Sequence, residues 1–221
     1  MLKIFAQFID LIFENSCVIC NKFSRQDLIC KSCESSFVIR NESSSIKSFQ
    51  EIKVYSWGFY DGNLRDGIIA LKAGKKKLTN YFANKLINFW KTLPQNVTNK
   101  NYLVIPVPSH KKRIKERGYC QATLIAANFA QTLDLSFTNN LIIRKKQTKF
   151  MNSLVNREER IKNINDAFEI INSINVKDIL IIDDILTSGN TLCEIAKTVH
   201  KKFPEINILG LTVAAGDRYS I

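Results

Sequence analysis

The stretch "DILIIDDILTSGNTLCEIAK", Asp178 to Lys197, limits the possible folds more than any other part of the chain. The apolar run Ile179 to Ile182 ends in two adjacent carboxylates, Asp183 and Asp184. A short apolar run bounded by turn residues reads as a strand buried on both faces. Thr187, Ser188, Gly189, Asn190 and Thr191 read as a turn, and "TLCEIAKTVHKKF" then takes up a helical period. A buried strand feeding a helix is the unit of a parallel sheet with helices packed on it. In such open sheets ligands bind beyond the carboxyl ends of the strands. There the turn presents backbone N–H groups at a helix N-terminus, which favours an anion. Gly189 permits close approach or positive φ, and Thr187, Ser188 and Thr191 add hydroxyl donors. That cradle suits a phosphate monoester. Carboxylates beside it would repel the phosphate, so Asp183 and Asp184 face sugar hydroxyls or a metal ion. A phosphate and a diol held side by side describe a ribose 5-phosphate.

The rest of the chain keeps the alternation. "EIKVYSWGFY" reads as a strand or two, and "YDGNLRDGIIALKAGKKKLTNYFANKLINFW" as a helix broken at Gly74 and the lysines after it. "NYLVIPVP" is a buried strand, "QATLIAANFAQTL" a helix, "LIIRKK" and "AFEII" short strands, and "INILGLTVAAG" a last strand. The expected fold is α/β, a mostly parallel sheet with flanking helices. The 221 residues suffice for one such domain and a small appendage. The polar "RNESSSIKS" puts the boundary near residue 50, giving units 1–50 and 51–221.

The first unit carries Cys17, Cys20, Cys30 and Cys33 as two Cys-x-x-Cys pairs nine residues apart. Four thiolates in two knuckles fit one tetrahedral zinc, with iron–sulfur second. Sulfur at every position leaves none open for catalysis, so the zinc is structural. Lys22, Arg25, Lys31 and Phe23 around the knuckles are the elements of single-strand binding. Cys120 and Cys193 read as small buried residues. Leu2, Phe5, Phe8, Ile9 and Ile12 recur at helical spacing, interrupted by Gln7 and Asp10. This amphipathic segment is too short to span a bilayer and no small-residue cleavage site follows it, so the chain reads as cytoplasmic.

The formal charge is +12, from 32 basic and 20 acidic side chains. The surplus indicates an anionic partner, with codon bias toward Lys as the bland account. Lys111, Lys112, Arg113, Lys115 and Arg117 follow the "IPVP" strand; Arg144, Lys145, Lys146, Lys149, Arg157, Arg160 and Lys162 form a second cluster. Arginine gives bidentate contacts to phosphate oxygens. His110 reads as a surface group, and Trp57 as a core residue or, with Tyr55, Phe59 and Tyr60, a stacking surface for bases.

The order strand, Asp-Asp, two residues, Thr-Ser-Gly-x-Thr, helix resembles the binding signature of the type I phosphoribosyltransferases, which use phosphoribosyl pyrophosphate (PRPP). The resemblance implies that Asp183 and Asp184 contact the ribose 2′- and 3′-hydroxyls, and that Thr187, Ser188, Gly189, Asn190 and Thr191 hold the 5′-phosphate. It places Pro108, Ser109, Arg113 and Arg117 at the pyrophosphate, which arrives with Mg²⁺. "VIPVPSHKKRIKERGYCQATLIAANFA", "RKKQTKFMNSLVNREERIKNINDAFEI" and "YDGNLRDGIIALKAGKK", behind a four-cysteine module, are similar to the ComF family of competence-associated proteins. Two segments depart from that pattern: Tyr119-Cys120-Gln121 after Arg117-Gly118, and Thr148-Lys149-Phe150-Met151. The resemblance implies handling of incoming single-stranded DNA in natural transformation, on the cytoplasmic side of the inner membrane. Implied partners are a competence helicase and the inner-membrane DNA channel. Lys111, Lys112, Lys115, Lys149, Arg157 and Arg160 would contact nucleic acid or close over pyrophosphate. The alternative is an active phosphoribosyltransferase of nucleotide salvage or modification, displacing pyrophosphate at C1′ through an oxocarbenium-like transition state. No general base stands out, and the catalytic residue stays unassigned.

Overall fold

The computed structural model describes residues 16–24, 27–41, 45–49, 52–145 and 166–216. The N-terminal amphipathic segment, Arg25, and the basic residues Lys146, Lys149, Arg157, Arg160 and Lys162 lie outside them. The described elements, in order, are α1 (Lys31–Ser35), β1 (Ile46–Ser48), β2 (Lys53–Phe59), α2 (Gly62–Lys72), α3 (Leu78–Trp90), α4 (Gln95–Thr98), β3 (Leu103–Pro106), α5 (Lys111–Arg117), α6 (Gln121–Thr132), β4 (Ser136–Phe137), β5 (Ile142–Arg144), β6 (Phe168–Ile170), β7 (Asp178–Leu186), α7 (Asn190–Lys202) and β8 (Asn207–Ala215).

Six strands form one sheet in the order β1-β2-β8-β7-β3-β4, and β5 pairs with β6 in a separate two-stranded ribbon. All pairings in the large sheet are parallel except β1 with β2. The pleat explains the unbroken apolar run of β7: Leu180 and Ile182 point into one core, Ile179 and Ile181 into another. The first core holds Phe82 and Trp90 of α3 and Ile125 and Phe129 of α6. The second holds Leu192, Ile195 and Val199 of α7, together with Ile142 and Phe168 of the ribbon. The mostly parallel α/β architecture is the one expected.

The helix break also falls where expected. α2 stops at Lys72, Gly74 takes φ 108°, and α3 starts at Leu78. Two details differ from the sequence reading, the end of β7 and the segment after β3. β7 continues through both aspartates to Leu186, because β8 pairs with it as far as Leu186↔Ala215. "EIKVYSWGFY" gives one strand, and Trp57 is buried edge-on to Phe37 at 6.1 Å, which agrees with its reading as a core residue and leaves no stacking surface there. The basic run after β3 forms a helix: His110 caps it by accepting from the Lys112 N–H at 3.2 Å, and Gly118 ends it at φ 79°.

The cysteine segment shares the first core. Cys17, Ile29, Cys33 and Phe37 pack in it with Trp57 and Leu64. Buried Arg40 donates from Nη2 to the Ala215 carbonyl at 3.0 Å and lies over the Phe59 ring at 3.9 Å. Ile46 to Ser48, just before residue 50, pair with Tyr55 to Lys53. Among the described residues no helix is long and apolar enough to cross a membrane.

Candidate functional site

Parallel strands β3 and β7 pair from Leu103↔Ile179 to Pro106↔Ile182, where β3 ends while β7 runs on beside β8. Pro108 and Ser109 follow β3 on one side; on the other, the last residues of β7 carry the aspartates and Thr187–Gly189 follow them. Val107 donates to the Ile182 carbonyl at 2.9 Å and joins the two strands there. α5 follows directly. Its Arg113 and Arg117 are half-buried, while Lys111, Lys112 and Lys115 are exposed. Burial, then the Arg117 charge, lowers the pKa of Arg113, while Asp184 counteracts. Arg144 at the end of β5 is likewise lowered by burial and by Arg113, with Asp183 counteracting. Two guanidiniums, Arg113 and Arg144, therefore sense the aspartate pair, and Arg117 donates to Gln121 beside it at 3.2 Å, a cationic setting that suits a polyanionic ligand.

The two carboxylates have different surroundings. Asp184 is buried; its Oδ2 lies 3.2 Å from Lys72 Nζ and accepts from Gln121 Nε2 at 3.0 Å. Burial pushes the Asp184 carboxyl up, but Lys72 and Gln121 outweigh it and hold the pKa below the usual carboxylate range. Asp183 is half-buried and accepts from the Asp184 N–H at 2.9 Å. Burial and the Asp184 charge raise its pKa well above the usual range. These surroundings favour the protonated form at Asp183 and the anion at Asp184.

The turn after β7 has the geometry of an anion cradle. Gly189 takes φ 76° at the N-cap of α7, whose first turn carries Asn190 and half-buried Thr191. The Ser188 hydroxyl oxygen is buried, and no described group bonds to it. A phosphate oxygen would supply the missing partner. Thr187 is exposed at the rim. Glycine is required at 189 on two counts: its positive φ, and the Phe49 ring, which would lie 2.4 Å from an added Cβ. Gly189→Ala is expected to cost about 2–4 kcal/mol from left-handed strain and overpacking together. Denaturant unfolding checks this; a loss below about 0.5 kcal/mol, the size of a neutral surface change, would contradict it.

Sequence reasoning gave no role to Lys72 or to the hydrogen bonds of Gln121. A lysine ending a helix reads simply as a favourable charge at the helix C-terminus. The tertiary fold alone carries it to Asp184.

The four cysteines form a second centre. Their sulfurs all lie within 4.8 Å of one another. Tetrahedral zinc at about 2.3 Å from each sulfur sets sulfurs about 3.8 Å apart, and Cys20 and Cys30 stand 3.7 Å apart. The Cys30 N–H donates to Cys17 Sγ at 3.3 Å. Burial raises the Cys17 thiol, but backbone donors from Cys20, Cys30 and Ile19 outweigh it and bring it to about 6. The donor set fits zinc, which would supply a cross-link and no chemistry.

Residues 114–220 match the model of the phosphoribosyl transferase domain. Competence protein ComFC of Bacillus subtilis is 26% identical over 199 residues, 89% of this chain and 76% of its own length. Competence protein F of Haemophilus influenzae is 35% identical over 115 residues, 50% of each chain. The chain is thus similar to proteins named for competence. DNA utilization protein YhgH of Escherichia coli K12 is 26% identical over 94 residues, 42% of this chain and 41% of its own. The match thus spans about half or less of the Haemophilus and Escherichia proteins. Of solved structures, a Helicobacter pylori xanthine-guanine-hypoxanthine phosphoribosyltransferase aligns at TM-score 0.38 and 16% identity over 63% of this chain and 75% of that one, too low a likeness to weigh.

Proposed function

We propose that this is a ComF-type protein that binds PRPP as its Mg²⁺ chelate beyond the end of β3, along the last residues of β7, and handles single-stranded DNA during natural transformation. The observation that carries the ligand reading is the buried, unpartnered Ser188 hydroxyl in a positive-φ turn at the head of α7, next to an aspartate pair. The 5′-phosphate would take the turn from Thr187 to Thr191. The diol would take the aspartates. The pyrophosphate, neutralised by its own Mg²⁺, would face Pro108, Ser109, Arg113 and Arg117, with Arg144 beside them. The zinc module would be structural, and its packing on the first core ties it to the ligand domain.

The DNA reading rests on the +12 charge, the exposed Lys111, Lys112 and Lys115 on α5, and the competence relatives. Lys149, Arg157 and Arg160 extend it outside the described residues. A cytoplasmic place beside the inner-membrane DNA channel, with a helicase partner, belongs to the same reading. The units 1–50 and 51–221 are proposed as functional divisions, zinc module and ligand domain.

An active transferase is the second reading, favoured by a site with donors for every part of PRPP. Its residues would position ribose and pyrophosphate and stabilise the departing charge. Pyrophosphate release is the test: Mg·PRPP is incubated with the protein, with single-stranded DNA and with each nucleobase. Release dependent on one acceptor makes the protein a transferase. Binding without release leaves a ligand-sensing DNA-handling protein. DNA affinity should fall about tenfold or more between 50 and 200 mM salt if several phosphates are contacted. A salt-independent affinity would contradict the DNA reading.

A further inference from the structure

Lys72, the last residue of α2, comes from the half of the chain that precedes the matched domain and still reaches the core of the site. Its Nζ meets Asp184 Oδ2 at 3.2 Å, the oxygen to which Gln121 Nε2 donates. Gln121 Oε1 in turn accepts from Arg117 Nη1 at 3.2 Å. The Tyr119 hydroxyl donates to the Leu71 carbonyl and pins the end of α2 against the α5–α6 connection. Asp184 is therefore held by side chains from α2 and α6, and through Gln121 by α5. Asp183, one residue earlier on β7, has the Asp184 N–H as its bond. A buried ion pair adds little stability over apolar side chains of the same volume. Stability alone does not account for a lysine reaching a carboxylate here.

We propose that Lys72 is a positioning residue of the phosphoribosyl site: with Gln121 and Arg117 it locks Asp184 in place, so that Asp183 is the carboxyl turned to the ribose diol. This rests on the phosphoribosyl reading. The charged groups around the pair are Lys72 of α2, Arg113 and Arg117 of α5, and Arg144 of β5. Lys72 is the one in direct ionic contact with it among the described residues. The side chain is 30% exposed, so its replacement leaves no unfillable hole.

The test titrates Mg·PRPP calorimetrically into the full chain as wild type, Lys72→Met, Lys72→Gln, Lys72→Arg, Asp184→Asn and the Lys72→Met/Asp184→Asn double variant. The expected result is about tenfold weaker binding for Lys72→Met and Lys72→Gln, near-complete rescue by Lys72→Arg, and a double variant no weaker than the weaker single. Wild-type affinity in Lys72→Met with only a lowered Tm would make the residue merely structural and overturn the proposal. A ligand-free arm follows the two carboxyl carbons by ¹³C NMR across pH. Lys72→Met is expected to move both midpoints and Lys72→Arg to leave them; unmoved midpoints overturn the proposal. Failure of the wild type to bind PRPP overturns the phosphoribosyl reading instead, and the NMR arm still decides whether Lys72 sets the pair.

Discussion

Asp183→Asn is expected to raise thermal stability at neutral pH while weakening Mg·PRPP binding by roughly 10- to 100-fold, the loss of one or two charged hydrogen bonds. The amide keeps the oxygen that accepts from the Asp184 N–H, so the local fold is retained. It removes a carboxyl that burial and Asp184 disfavour as an anion. A raised folded-state pKa means the contribution of Asp183 is complete below its unfolded value near 4 and is lost as pH rises through the folded value. The stability gap between Asp183→Asn and wild type should therefore open as pH rises from about 4 and close again in acid. Asp184 runs the opposite way: its lowered pKa gives stability that is present above about 4 and lost as pH falls through the folded value. Thermal melts of wild type and both asparagine variants across pH check the signs. An Asp183→Asn protein less stable than wild type at pH 7 would contradict the assigned environment. Such an exchange of stability for binding is expected where a site keeps a disfavoured group for its ligand.

Metal removal has the second large effect. Structural zinc in a four-cysteine site supplies on the order of 10 kcal/mol of folding free energy. Chelation, or Cys33→Ser, is expected to unfold the segment around the four cysteines and to lower the Tm of the remainder. The remainder is affected because Cys17, Ile29, Cys33 and Phe37 are part of the core that also holds Trp57, Leu64 and Phe82. Trp57, buried against Phe37, reports the change. Its fluorescence should shift to the red on chelation and return with zinc. An unchanged Trp57 spectrum and Tm after full metal removal would show that the module neither binds zinc structurally nor supports the domain. The Glu34–Lys85 ion pair adds a polar tie between α1 and α3, which chelation should also release.

Much of this was legible in the chain because the strongest signals are local. The apolar run at 179–182, the turn residues after it and the cysteine spacing each depend on neighbouring residues; the structure has a buried strand at 179–182, a turn before α7, which already starts at Asn190, and the four sulfurs together. The end of β7 was not legible, since Asp183 and Asp184 look like a strand terminus until β8 is seen to run beside them to Ala215. The helix at 111–117 was hidden because a run of lysines and arginines has no apolar face, and its cap is a histidine rather than a usual capping residue. Lys72 and Gln121 were hidden for another reason. They meet Asp184 across 112 and 63 positions of sequence, which are 184 − 72 and 184 − 121, and no local pattern encodes contacts of that range. Trp57 left two readings open in the sequence, core residue or stacking surface; pairing of β2 with β8 and packing on Phe37 decide for the core.

Calorimetric titration of Mg·PRPP into wild type and Asp183→Asn at one pH and one salt concentration tests the central claim most directly. The account predicts one site per chain in the wild type, competed by ribose 5-phosphate and lost or severely weakened in Asp183→Asn. No binding by the wild type, or equal binding by both proteins, would contradict a phosphoribosyl site at the end of β7.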